Sequence, residues 1–470
     1  MTVPAQVPRQ DTLALPRPDG TAGTLRQGLR QRHLGMIALG GMIGAGLFVG
    51  SGSVIRQVGP GAFLSYAATG LLIILVMRML GEMATSAPST GSFVTYAREA
   101  LGDWAGFSTA WLYWYFWVIV VGFEAVAGAG LLQVWLPQAL LWTLSLGLML
   151  LMTATNLTSV GAYGEFEYWF AGIKVLAILA FLVIGGSFAL GLWPGHPMDL
   201  SHWTRGGGLF PNGVGAIFSG IVVVVFSMVG AEIATVAAAE TPEPAKAVAR
   251  ATRTVAIRII VFYVGSILLL TLILPWDGLA PGGSPFVAAF ERMGFGWAGD
   301  AMNAVVLTAV LSCLNSGLYT ASRMLFVLGE RGEAPRALMR LNRSGVPMPA
   351  ILVSTAMGYL AVVAAYLSPD AVFLFLLNSS GAVILLVYLA IAVSQLILRP
   401  RIPPDRPVVR MWLYPYLTLA TIAAMLGILA AMAFQPETRS QLLLSLLSAA
   451  IVLAAYGVRR RLGGRTDYVS

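Results

Sequence analysis

The chain has 470 residues, 57% of them hydrophobic and only 11% charged, with a net charge of +8 and a mean hydropathy of +0.79. An ordinary soluble domain carries roughly 25% charged residues, and a water-soluble chain this apolar lacks the polar surface to cover itself, so its solvent is lipid. The single cysteine, Cys313, excludes an intramolecular disulfide, and the scattered His33, His196 and His202 offer no metal-ligand set. No nucleophile–base arrangement and no nucleotide loop stands out, so an enzyme is not expected.

Residues 1–32 are polar and contain Pro and Arg. No apolar run precedes the first span, so the segment reads as a flexible cytoplasmic tail rather than a cleavable signal. Beyond it, stretches of about 20 apolar residues mark about twelve membrane-spanning helices. Their limits are 36–57, 62–85, 104–132, 139–157, 165–192, 213–238, 255–275, 298–328, 349–367, 371–398, 411–434 and 440–458. With the N-terminus inside, the cytoplasmic segments hold 23 Lys and Arg and the outer loops only Arg56, Arg205, Arg292 and Arg439. That asymmetry sets both termini in the cytoplasm. It also accounts for the basic balance without nucleic acid.

Spans one and six carry nearly the same small-residue pentad, Met42-Ile43-Gly44-Ala45-Gly46 and Met228-Val229-Gly230-Ala231-Glu232. Glycine in mid-membrane lets a helix unwind, and lipid cannot satisfy the freed backbone groups, so unwinding is tolerated only around a buried cavity. A pair of such breaks at corresponding positions of two halves points to a transporter's binding site. Five spans separate them, so the second repeat must be inverted. The expected architecture is an all-α integral membrane protein: a transport core over 33–400, with inverted five-helix repeats at about 33–195 and 210–400. Two added helices (401–460) and a cytoplasmic tail (461–470) complete it.

In span one, Gly40, Gly41, Gly44 and Gly46 lie within seven residues, denser than helix packing requires. The exposed N–H groups from Gly41 and Ile43 to Gly44, Ala45 and Gly46 suit a carboxylate. In span six, carbonyls near Phe226, Ser227 and Val229 suit an ammonium, with Phe226 covering it. Gly230 provides the break there. Glu232 either takes part in binding or holds the broken helix in shape, and the sequence leaves both open. Lys174 is the only lysine inside a span. Such a residue marks an ion pathway by default, and protonated it can do the work of a bound cation. Glu124 in span three either lines the vestibule or pairs internally. Asn315, beside Cys313 and Ser316, suggests interhelical hydrogen bonding or a pocket wall; Asn378, Ser379 and Ser380 interrupt span ten and suit a pocket wall too. Arg78 and Glu82, four apart, read as an i, i+4 pair.

Several stretches are familiar in kind: Arg32-His33-Leu34 leading into the glycines, Pro88-Ser89-Thr90-Gly91-Ser92-Phe93, Phe226 to Glu232, Tyr319-Thr320-Ala321-Ser322-Arg323-Met324 and Arg410-Met411-Trp412-Leu413-Tyr414-Pro415. On these the chain resembles the amino acid permeases of the amino acid–polyamine–organocation superfamily. Tyr163 to Glu167 and Ser312 to Ser316 are most similar to members that carry 4-aminobutyrate. The resemblance implies proton-coupled import of a small amino acid across the bacterial inner membrane, with Lys174 where relatives bind a sodium ion. It implies no cofactor beyond the proton, and its partners are the amino acid and the bilayer, with no obligatory protein partner. The alternatives are a permease or exchanger for another neutral amino acid such as proline, and a non-transporting sensor. Ala45 departs from the Ser or Thr of many relatives, which removes a hydroxyl from the carboxylate site.

Overall fold

In the computed structural model the described residues are 36, 41–89, 91–158, 160–204, 206–238, 243–279, 283–368, 376, 382–403 and 408–461. They are almost entirely helical. Ten helices are long and apolar enough to cross a membrane, and they coincide with ten of the twelve expected spans. Spans one and six are absent from that set because each is broken. Span one runs as Ala45–Phe48 and Gly50–Val58; span six runs as Gly215–Ser227 and Ile233–Ala237. The fold is that of an all-α multi-pass membrane protein with discontinuous first and sixth helices.

Burial follows position in the bundle. Span three (Asp103–Leu132) has 83% of its apolar window inside the protein, whereas span eleven (Tyr416–Phe434) has 22% and the last helix 17%. A helix that is apolar all round is either enclosed or lipid-facing, and both cases occur here. Span three is the central post, packed against span eight (Gly296–Glu330) and span nine (Met348–Leu367). Span twelve leans on it from outside, and span eleven packs on spans two, six, ten and twelve.

Two expectations need correction. Span seven begins at Pro244, not near 255: the helix runs through Arg258 into a π-helical stretch at Ile259–Gly265 and on to Ile273. Its first turns are amphipathic and carry Lys246, Arg250 and Arg253, so a hydropathy window misses them, while Pro244 supplies a normal helix start. Arg78 and Glu82 do not pair. Glu82, fully buried, binds Arg399 and accepts from Gln395 Nε2 at 2.6 Å. Arg78 lies over the Trp412 ring at 3.8 Å and donates to Arg410 O. Spacing alone cannot foresee this, because the partners come from the end of span ten and the segment after it.

Basic residues gather at one end of the bundle. There the short helix Phe93–Leu101 is clamped by Arg98 to Glu333 at 2.7 Å and by Arg331 to Thr95 Oγ1 at 3.0 Å. Arg459 of the last helix also reaches Glu333, at 3.5 Å.

Candidate functional site

The two breaks cross at the centre of the bundle in backbone contact. Gly230 has φ +114°, and a Cβ there would lie 2.2 Å from Gly41 O. Glycine is required twice over, for the left-handed dihedral and for the approach. A Cβ on Gly46 would meet Ser227 Cα at 2.7 Å, and one on Gly44 would meet Glu124 Oε1 at 2.5 Å. The small residues of the pentads are therefore spaces for opposing chain.

Side chains from four other spans satisfy the freed backbone groups. The Ala45 N–H, first of the half-helix, donates to both carboxylate oxygens of Glu124 at 3.2 Å. Lys174 Nζ donates to Ile43 O at 2.7 Å. The Tyr263 hydroxyl lies within donating distance of Met42 O at 2.6 Å and Ser227 O at 3.1 Å, joining one break to the other. The Cys313 thiol faces Gly41 O at 3.9 Å. Glu232 receives the Tyr113 hydroxyl on Oε1 and the Tyr388 hydroxyl on Oε2, both at 3.0 Å, and the Gly230 N–H on both oxygens at 3.1–3.2 Å. Glu124, Lys174 and Glu232 are each at most 2% exposed.

Between the breaks lies a cavity of about 20 Å³ lined by Gly44, Gly46, Glu124, Phe226, Val229 and Cys313, with Trp117 at its side. That is room for about one water. Phe226 closes it edge-on against Phe123 (5.1 Å) and Phe116 (6.0 Å). Toward the end opposite the basic one opens a vestibule of about 760 Å³. Its wall includes Val126 and Ala127, within a turn of Glu124, and the polar Gln133, Glu291, Asp300 and Asn303. Toward the basic end, Ser92 Oγ meets Thr235 Oγ1 at 2.8 Å, and Phe93 packs edge-on on Tyr113 at 4.7 Å.

Of the residues singled out in the sequence, Gly41, Ile43, Gly44, Ala45, Gly46, Phe226, Ser227, Val229, Gly230, Glu124, Glu232 and Lys174 converge on this crossing. Their geometry differs from the expectation in one respect: the Ala45 N–H already holds a carboxylate, that of Glu124. Asn315 does not line the cavity; its Oδ1 accepts from Asn156 Nδ2 of span four at 2.6 Å. Gly40 and Ser379 lie outside the described residues, as do Asn378, Ser380 and Arg32 to Leu34. Sequence reasoning missed Tyr113, Tyr263 and Tyr388. The available signal was a phenol in mid-span, since a buried hydroxyl needs a partner. Among the described residues there is no cluster of metal-ligating side chains.

A multi-pass bundle whose two broken helices cross at a closed central cavity, with a vestibule on one side, defines a membrane transporter of small solutes. The amino acid permease family model matches residues 33–463, and the chain belongs to that family. It is 54% identical over 441 residues to the gamma-aminobutyric acid permease of Bacillus subtilis (strain 168), covering 93% of this chain and 94% of that one. It is 47% identical to a probable GABA permease of Pseudomonas aeruginosa over 91% of both chains. The gamma-aminobutyric acid permease of Escherichia coli (strain K12) is 45% identical over 88% of this chain and 90% of its own. The protein is an amino acid permease embedded in the membrane.

Proposed function

We propose that the protein is a proton-coupled symporter that imports 4-aminobutyrate across the bacterial inner membrane by alternating access, with both termini cytoplasmic. The observation that carries this reading is the Lys174 ammonium on Ile43 O at 2.7 Å. A protonated lysine ties span five to the unwound segment of span one, and loss of its proton removes the positive charge that favours the bond. Protonation thereby biases which arrangement of the broken helices is stable. The names of three similar proteins, all GABA permeases, support the substrate.

The substrate carboxylate is assigned to the N–H groups of Gly44 to Gly46 and the amine to carbonyls near Phe226 to Val229. Binding then requires Phe226 to swing away and Glu124 to release the Ala45 N–H, because the cavity is smaller than the ligand. No cofactor takes part beyond the proton. The two inverted repeats, about 33–195 and 210–400, rock against each other around this fixed crossing, and spans eleven and twelve flank them.

Purified protein in proteoliposomes, given an imposed inward proton gradient and labelled 4-aminobutyrate, tests this reading. Accumulation blocked best by unlabelled 4-aminobutyrate among a panel of amino acids is expected. Accumulation blocked best by proline or another neutral amino acid overturns the substrate. Counterflow indifferent to the gradient overturns symport in favour of exchange.

A further inference from the structure

Span five carries a second buried ionisable group that the site above does not use. Glu167 is fully buried, and it lies two helical turns from Lys174, so both side chains leave the same face of the helix. That face meets span eight. The Ser312 hydroxyl donates to Glu167 Oε1, while Glu167 Oε2 and, one turn away, Asn315 Nδ2 are buried without a hydrogen-bond partner among the described residues. Ser316 Oγ meets the Tyr163 hydroxyl at 3.3 Å. The Tyr163 ring stacks on Tyr319 at 4.3 Å, and Arg323 covers the Tyr319 ring at 4.2 Å. From Lys174 a file of polar groups thus runs between spans five and eight toward the basic end.

The charged and titratable groups facing this file are few. Lys174 and Tyr163 come from span five; Cys313, Tyr319 and Arg323 come from span eight; Glu124 comes from span three and Tyr263 from span seven. Two buried carboxylates lie along this file, Glu167 on span five and Glu124 on span three. Yet Glu124 spends both oxygens on the Ala45 N–H, whereas Glu167 makes no contact with either break. A carboxylate is costly in the membrane interior and marks a proton path by default.

We propose that Glu167 is the proton acceptor of Lys174, the group through which the coupling proton leaves the centre toward the basic end. This rests on the reading of Lys174 as the coupling residue. The step is relayed by one water between the two side chains. An N–H bond of the Lys174 ammonium breaks, the water accepts that proton and gives up another, and an O–H bond forms on the Glu167 carboxylate. A charged pair becomes a neutral amine and a neutral acid. The acid then gives its proton to water on the side of Tyr163, toward the basic end, restoring the carboxylate. Lys174 loses its hold on Ile43 O, and the bridge between span five and the broken helix opens. Glu167 touches no substrate, so its role is to receive and pass the proton, not to bind.

The test uses Glu167→Gln and Glu167→Asp beside Lys174→Ala in proteoliposomes, with labelled 4-aminobutyrate or the amino acid that the competitor panel selects. Glutamine keeps the Ser312 contact but cannot take a proton. Expected for Glu167→Gln is a loss of gradient-driven accumulation of about tenfold or more, with counterflow reduced no more than about threefold. Its residual accumulation also loses the dependence on internal pH shown by the wild type at fixed external pH. Glu167→Asp restores part of both. If Glu167→Gln accumulates like the wild type while Lys174→Ala fails, the acceptor role is overturned and the Lys174 reading stands. If Lys174→Ala accumulates normally, the coupling reading itself falls. If accumulation and counterflow collapse together in Glu167→Gln with no change in pH profile, Glu167 is a structural bond only.

Discussion

Glu124 holds the Ala45 N–H with both carboxylate oxygens, each at 3.2 Å, so this side chain occupies the position assigned to the substrate carboxylate. Two anions at one half-helix terminus repel, and a ligand binds only as Glu124 gives way or takes a proton. Glu124→Gln removes that competition. Its affinity for 4-aminobutyrate at alkaline pH, measured by calorimetry in detergent, is expected to rise about tenfold, or 1.4 kcal/mol.

Gly230 touches the chain of span one. A methyl group there meets Gly41 O at 2.2 Å with the backbone at φ +114°. Gly230→Ala is therefore expected to abolish the monodisperse folded peak in size-exclusion chromatography, since strain of about 1–3 kcal/mol adds to the clash. Gly427→Ala, at a position with open space around it, leaves the peak unchanged.

Tyr263 ties the two breaks through a single hydroxyl. Tyr263→Phe leaves the carbonyls of Met42 and Ser227 without that donor in a buried setting. A stability loss of about 1–3 kcal/mol is expected, read as a lower midpoint in thermal unfolding. The maximal transport rate falls with it, because the crossing loses its geometry.

Arg399 is the counter-ion of the buried Glu82. Arg399→Ala strands that carboxylate and is expected to cost about 3–5 kcal/mol. Adding Glu82→Gln to it recovers most of the loss, since a neutral amide needs no counter-ion and still meets Gln395. A thermal-shift series on the two single variants and the double variant reads the coupling.

Cys313 is the only cysteine of the chain and lines the central cavity at 6% exposure. It is a natural reporter of the site. Labelling of the native protein by a small methanethiosulfonate is expected to be slow and to be slowed further, by about threefold or more, at 4-aminobutyrate concentrations well above its dissociation constant. Labelling indifferent to the amino acid would separate Cys313 from the binding site.

The sequence by itself determined the solvent, the spans and the two places where helix gives way. Each follows from local chemistry: apolar runs of membrane length, and glycines clustered where an unbroken helix gains nothing from them. Lys174, Glu124 and Glu232 stood out as well, because a charge in an apolar run is visible without any partner. What the chain could not display was who answers each freed group. Glu232 is held by Tyr113 and Tyr388 from spans three and ten; Ile43 O is met by Lys174 from span five; Glu82 turns from Arg78 to Arg399, more than 300 residues on. Only tertiary structure decided these pairings. A buried polar group must find a partner, but burial constrains only that one exists, and which one arrives depends on how the helices cross.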